Sequence, residues 1–204
     1  MNRTQIDWAP GRAAEVRRAQ SSDLAALSDF FTGLSPRTRS RRFFAPVTPT
    51  SGMLRRLSGG TGNIDAVVAV AGDAIVGHAM AADLAGTGGD PMSDLAGTGG
   101  DPVTEIGVVV ADAWQGLGVG AALVRALIAR AQTRGVTTLT MDVLPGNRQV
   151  LAMILGHWAG ARVNRSADCV TVRVRLPGPR VRPWSASRPW RPGALPAWAS
   201  ACLP

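Results

Sequence analysis

The chain has 204 residues, 46% of them hydrophobic and 18% charged, with a formal net charge of +8. That length accommodates one domain of ordinary size, with or without an extension, and argues against two full domains, while no apolar run approaches the roughly 18 residues that a membrane span requires. All 22 basic residues are arginine, which excludes mechanisms built on a lysine amine, among them a Walker-type phosphate loop, a Schiff base and a pyridoxal anchor.

Residues 1–20 contain arginines but no continuous apolar stretch of the kind a secretory signal carries, so a cytoplasmic location is expected, with no membrane partner. Residues 1–12 read as a flexible start and 13–19 as a first strand. Ser22 then caps a helix whose apolar positions Leu24, Leu27, Phe31 and Leu34 follow helical spacing and face the core. Ser35-Pro36 opens a second, short helix in the favoured order of cap then proline. That helix carries Arg37, Arg39, Arg41 and Arg42 ahead of Phe43 and Phe44, and its charge run reads as a solvated face. Residues 51–57 add a helical turn, and 66–70 with 74–80 read as a hairpin across Ala71-Gly72-Asp73.

The nine residues Asp-Leu-Ala-Gly-Thr-Gly-Gly-Asp-Pro then occur twice, beginning at Asp83 and at Asp94, with Met92-Ser93 between the copies. Two copies are too few and too rich in glycine for a solenoid, so 83–102 reads as a lengthened surface loop, which is tolerated because closure entropy grows only with the logarithm of length. Residues 104–111 are a strand, 118–134 an amphipathic helix and 138–144 another strand, which makes a β-α-β unit with parallel strands. A last helix covers 148–158, and 162–164 with 169–176 form a closing antiparallel pair that places Val170, Val172 and Val174 on one face. Beyond Pro177, prolines alternate with Trp184, Trp190 and Trp198, and Arg180, Arg182, Arg188 and Arg191 face no acid, so 179–204 reads as a disordered basic tail. The body is only mildly basic once those four arginines are set aside, and no nucleic-acid partner is expected for it. Cys169 and Cys202 read as free thiols.

The stretch 108–121 carries the chemistry, because in it a strand ends, a short turn follows and a helix opens in glycine. Free backbone N–H groups and the helix dipole make such a start an anion site, and glycines let a bulky phosphate approach the main chain. Gly118 and Gly120 are the positions of close approach, while Gln115 either closes the loop or donates to a phosphate oxygen.

Gln115-x-x-Gly118-x-Gly120 resembles the Q/R-x-x-G-x-G/A cofactor loop of the GNAT superfamily of acyl-CoA N-acyltransferases, and the element order around it is similar to that family's. The resemblance extends over about residues 13–176 and is specific within 105–147. It implies an α/β domain over 13–178 of the mixed-sheet (α+β) kind, with about six to seven strands, flanking helices and a V-shaped cleft between two parallel strands. It further implies acetyl-CoA as acyl donor, with no metal, and a small-molecule amine or a protein lysine as acceptor. By the same resemblance Val108, Val109 and Val110 lend backbone groups to the pantetheine arm. Gly116, Leu117, Gly118, Val119, Gly120 and Ala121 cradle the pyrophosphate, and Asn147 contacts the cofactor. Leu34-Ser35-Pro36 and Arg41-Arg42-Phe43-Phe44 are similar to a segment of bacterial protein-lysine and small-amine acetyltransferases.

The implied reaction is attack of a neutral amine on a thioester, which calls for a general base and for a donor to the developing oxyanion. Glu105, at the start of the strand that leads to the loop, is the candidate base, and Asp142 on the neighbouring strand is its rival; either acid could equally be a solvated strand end. A backbone N–H near Val109 or Val110 is the oxyanion donor. Many family members carry a tyrosine seven residues after the asparagine as the acid for the departing thiolate, but that position is Ile154 and the chain has no tyrosine. His157 is the nearest alternative along the chain. Three other readings stay open: a dinucleotide fold, from Gly116-x-Gly118-x-Gly120 and Asp142; a degenerate domain that binds acyl-CoA without catalysis; and a nucleic-acid or partner-binding protein acting through its tail and the 37–42 arginines.

Overall fold

Runs of valine, alanine and isoleucine supply the β-propensity of the central strands, and the computed structural model, which describes residues 4–9, 12–59, 62–84 and 103–176, assembles them into an eight-stranded mixed sheet. The strands are β1 (Thr4–Ala9), β2 (Arg12–Arg18), β3 (Ile64–Ala71), β4 (Ala74–Leu84), β5 (Val103–Val110), β6 (Thr138–Val143), β7 (Arg162–Arg165) and β8 (Val170–Arg175), in the order β1-β2-β3-β4-β5-β6-β8-β7. The helices are α1 (Leu24–Gly33), α2 (Pro36–Phe43), α3 (Ser51–Leu57), α4 (Val119–Thr133) and α5 (Arg148–His157).

Two expectations are corrected. The start of the chain is not outside the domain: Thr4–Ala9 pairs antiparallel with β2 and adds the eighth strand, consistent with the alternation of Thr4, Ile6 and Trp8 with Gln5 and Asp7, a period of two. The first helix is not capped by Ser22. Residues Ser21–Asp23 form a 3-10 turn, and Asp23 accepts the Gln20 N–H at 2.8 Å while Arg17 grips both its oxygens at 2.8 and 2.7 Å. The residue at the cap of α1 is Asp23, whose side chain makes no bond to the helix, while the Ser22 hydroxyl donates to Gln20 Oε1 at 3.4 Å.

The sheet divides the core into two layers. α4 and α5 cover one face, where Leu123, Leu127, Leu139, Met141, Val143, Leu151, Ile154 and the β8 valines Val170, Val172 and Val174 are buried together. α1, α2 and α3 cover the other, with Leu27, Phe31, Leu34, Leu57, Val68 and Val109. Leu27 and Leu123 are fully buried, each worth about 2 kcal/mol of apolar transfer. Gly77 on β4 lets α4 come close, since a Cβ there would lie 2.8 Å from Leu123 Cδ1 and 3.2 Å from Val119 Cγ1.

The feature that positions the site is a fork. β5 and β6 are parallel and stay in register only at Val103↔Thr138, Thr104↔Leu139 and Glu105↔Thr140. Past that point β5 continues to Val110 on β4, and β6 continues to Val143 on β8, so the two strands part. This is the V-shaped cleft. β4 and β5 are a long hairpin whose last described pair is Leu84↔Val103; the glycine-rich part of the duplication, 85–102, lies outside the described residues, as do the tail 179–204 and Cys202. No helix among the described residues is long and apolar enough to cross a membrane.

Candidate active site

The cradle is built at the end of β5. The Ala111 N–H bonds to Val76 O at 2.9 Å, which keeps the strand on β4 to its last residue. A 3-10 turn, Asp112–Trp114, then leads into Gln115. Gly116 (φ 75°) and Gly118 (φ 92°) take left-handed conformations that side chains with a Cβ rarely adopt. α4 starts at once, its first bond running from the Ala122 N–H to Gly118 O at 3.1 Å. The amides of Val119, Gly120 and Ala121 therefore have no acceptor within the helix and stand at the positive end of a 15-residue dipole. Among the described residues, chain neighbours and the helix's own backbone aside, no heavy atom lies within 4 Å of where a Gly116 Cβ would be, and at Gly120 the one that does is Val110 Cγ2 at 3.6 Å. The loop is open to a ligand's phosphates and offers them main-chain donors.

Gln115 closes this loop rather than reaching outward. Its Nε2 donates to Val110 O at 3.0 Å and to Thr38 Oγ1 at 3.2 Å. Thr38 Oγ1 in turn donates to Asp112 Oδ1 at 2.7 Å, and Asp112 also accepts the Ser35 hydroxyl at 2.8 Å and the Ser35 N–H at 3.0 Å. Ser35 is the N-cap of α2, as expected from Ser-Pro, and accepts the Thr38 N–H at 3.2 Å. Partial burial pushes the Asp112 carboxyl up, but the bonds from Ser35 and Thr38 outweigh it and hold the group below the usual carboxylate range.

The candidate acids stand at the fork. Glu105, paired with Thr140, is exposed on the face that α2 covers. Because side chains alternate along a strand, Gly107 and Val109 share that face. Asp142, two residues beyond Thr140, is also on that face; it is exposed and accepts the Thr171 hydroxyl at 2.7 Å. Since Ala111 turns its N–H to β4, alternate residues Val110 and Val108 turn their backbone groups toward the open side, and the Val109 backbone faces β4. Asn147, buried at the start of α5, makes no side-chain capping bond, and its N–H goes to Leu144 O at 2.8 Å. Glu105, the open edge of Val108–Val110 and the α4 amides thus follow one another along β5, with Asp142 and Asn147 on the opposing arm.

Two expectations about neighbouring side chains resolve differently. Ile154 is buried in the core beneath α5, so that position offers no acid. His157 stands edge-on to Trp158, ring centroids 4.6 Å apart, and burial together with Arg125 lowers its pKa.

The sequence reading missed Arg42. It does not join a solvated face: its guanidinium folds over Gly107, where a Cβ would lie 2.6 Å from Cζ and Nη2 and 2.9 Å from Nη1. Its Nε is buried and has no hydrogen-bond partner. Burial pulls the Arg42 pKa down while the charge of Glu105 pushes it up. Next to it, the fully buried His78 binds Leu57 O through Nε2 at 2.8 Å. Desolvation, opposed by that bond and reinforced by Arg42, depresses the His78 pKa to about 4. The available signal was glycine at 107, two residues from an acid in an otherwise β-branched strand, which marks a close approach by some other group.

The sequence profile of the Acetyltransferase (GNAT) family matches residues 30–156, from α1 through α5. No curated protein matches the chain. Among solved structures, the chain is similar to the GNAT domain of S. lividans PAT, with a TM-score of 0.71 at 25% identity over 85% of this chain and 97% of that one. It is also similar in fold to a GNAT superfamily phosphinothricin acetyltransferase (Pat) from Sinorhizobium meliloti in complex with AcCoA, with a TM-score of 0.59 at 19% identity over 85% of this chain and 94% of that one. A third similar fold is the ribosomal-protein-alanine N-acetyltransferase from Brucella melitensis, with a TM-score of 0.60 at 19% identity over 79% and 99% of the two chains. With the profile spanning both the fork and the amide cradle, the chain belongs to the Acetyltransferase (GNAT) family and is an acyltransferase.

Proposed function

We propose that this enzyme transfers an acetyl group from acetyl-CoA to a primary amine by direct attack, with Glu105 as the general base. The observation that carries the reading is the fork: β5 leaves β6 immediately past Glu105, so the acid stands at the apex of a cleft whose wall leads to the α4 amides that have no acceptor within the helix. A solved structure of similar fold is a complex with AcCoA. The residues present fit such a donor, because the loop is open at Gly116 and presents main-chain N–H groups to an anion.

The roles follow from position. The amides of Val119, Gly120 and Ala121, with Gly116, Leu117 and Gly118 shaping the turn, hold the pyrophosphate; Gln115 keeps the loop closed onto Val110 and Thr38. The open backbone edge of Val108 and Val110 receives the pantetheine amides and offers an N–H to the thioester oxygen as negative charge develops there, while Val109 anchors the strand to β4. Asn147 supplies an uncommitted side-chain amide on the opposite arm. Glu105 takes a proton from the acceptor's ammonium; the neutral nitrogen then forms its bond to the acetyl carbon as the carbon–sulfur bond breaks, and the second proton that the nitrogen sheds passes through water to the departing thiolate. A positioned base of this kind contributes about 10²–10⁴-fold. Asp142, tied to Thr171, lines the acceptor side in this account.

Similar folds carry names for both a small-molecule and a protein acceptor, which supports the two acceptor classes proposed here, a small-molecule amine and an amine of a protein such as lysine; the proposed setting is cytoplasmic. One observation favours a second reading, a domain that binds acyl-CoA without turnover: Ile154 is packed into the core where many relatives have an acid. An acceptor screen by mass spectrometry separates the two. Product formation that falls at least about a hundredfold in Glu105→Gln supports the first; tight acetyl-CoA binding with no product from any amine supports the second.

A further inference from the structure

A guanidinium is among the costliest groups to leave buried without partners, since its donors lose water and gain nothing. Arg42 is half-buried, and its Nε is in that position. Its Nε is buried without a hydrogen bond, its plane rests on the bare main chain of Gly107, and the ring of Phe43 lies 5.1 Å from its Cζ. The nearby opposite charge is Glu105, which acts on Arg42 through space, yet no ion pair joins the two among the described residues. Glu105 and Gly107 are successive side-chain positions on one face of β5, about 7 Å apart. A cation and an anion therefore occupy neighbouring positions on one face of β5, at the apex of the cleft.

We propose that Arg42 is the acceptor-carboxylate site of this enzyme, and that the acceptor is an α-amino acid whose carboxylate meets the Arg42 guanidinium while its amine faces Glu105. The reading rests on the acetyl transfer proposed above and narrows its acceptor. A carboxylate fits the planar fork of arginine through paired N–H donors. An amine without an anionic group nearby, such as a polyamine or a lysine side chain within a protein, satisfies Glu105 and leaves Arg42 as it is. Gly107 belongs to the same device, because any Cβ at that position would push the guanidinium off the strand.

The test is a binding measurement that needs no turnover. N-acetylated amino acids and their decarboxylated counterparts (N-acetylhistidine against N-acetylhistamine, N-acetyltryptophan against N-acetyltryptamine, N-acetylphenylalanine against N-acetylphenethylamine) are titrated calorimetrically into the full chain, with and without CoA. The expected result is binding about tenfold or more tighter for the acid in at least one pair, a preference that shrinks to about twofold or less in Arg42→Gln and survives in part in Arg42→Lys. Equal affinities in every pair for the wild type overturn the proposal without recourse to a variant, as does a preference that persists in a folded Arg42→Gln. Failure of the acetyl-transfer reading shows differently, as a wild type that binds neither CoA nor acetyl-CoA, and the pairwise preference is then still read from the titrations without CoA.

Discussion

Asp112 and Ser35 are 77 positions apart in the chain and are joined twice, Oδ2 to the Ser35 N–H at 3.0 Å and Oδ1 to the Ser35 hydroxyl at 2.8 Å. The turn that precedes the amide cradle is thereby fastened to the N-terminus of α2, the helix whose other end places Arg42 over Gly107. In the proposed account, donor side and acceptor side share one latch. Asp112→Ala is expected to lower stability by about 1–2 kcal/mol and to weaken acetyl-CoA binding severalfold, because the turn loses its fixed position. Denaturant melts and calorimetry check both effects. The carboxyl is held below its usual range, so its contribution is present above the unfolded pKa and lost as pH falls through the folded one.

His78 sets a second pH window. Its folded pKa of about 4 lies below the ordinary value of 6.5, so the unfolded chain binds the extra proton between those values. Stability is therefore full above the unfolded pKa and declines as pH falls from about 6.5 toward 4, by up to about 3 kcal/mol. His78→Gln, which can keep a donor toward Leu57 O, is expected to flatten most of that slope in urea midpoints taken across the range. The chain's other histidine, His157, has the same sign of shift and accounts for a smaller part.

Far from the cleft, α4 is anchored by its C-terminal turn. Asp65 on β3 accepts Arg130 Nε at 2.6 Å and Arg134 Nη1 at 2.7 Å. Asp65→Asn leaves both partly exposed guanidiniums without their shared anion and is expected to cost about 1–3 kcal/mol, seen as a Tm lower by several degrees. Acetyl-CoA affinity should stay within about twofold of the wild type, because the cradle is at the helix's other end.

Gly77→Ala should lower stability and affinity together. The new Cβ meets Leu123 Cδ1 at 2.8 Å and Val119 Cγ1 at 3.2 Å; Leu123 is fully buried and has no room to turn aside. The helix is pushed back at its first turn, where Val119 contributes a cradle amide. An overpacking cost of about 1–3 kcal/mol is expected together with a loss of acetyl-CoA affinity, and a titration on protein shown to be folded by circular dichroism measures the second.

Local signals were legible in this sequence, and contacts between distant segments were not. Ser35-Pro36, the 51–57 turn, the Ala71-Gly72-Asp73 hairpin and the 118–134 helix could be read because cap chemistry, turn residues and periodicity act within a few positions. Val170, Val172 and Val174 are buried together for the same reason. β1 was missed because a single strand at a sheet edge has only its own alternation to announce it. Arg42 was placed on a solvated face because its neighbours in sequence are arginines, whereas its fate is decided by a glycine 65 positions away on β5. The sequence allows Gln115 two roles, and the position of Thr38 shows that it closes the loop.

The central claim is that the start of α4 holds the pyrophosphate of acetyl-CoA, and calorimetric titration of acetyl-CoA into wild type, Gly118→Ala and Gly118→Glu tests it most directly. Both variants strain a backbone at φ 92°, but only the glutamate adds a negative charge at the cradle. The account predicts measurable binding by the wild type, a reduced but detectable affinity for the alanine variant and none for the glutamate variant. A folded wild type that binds no acetyl-CoA, or a Gly118→Glu that binds it as well as Gly118→Ala does, would contradict it.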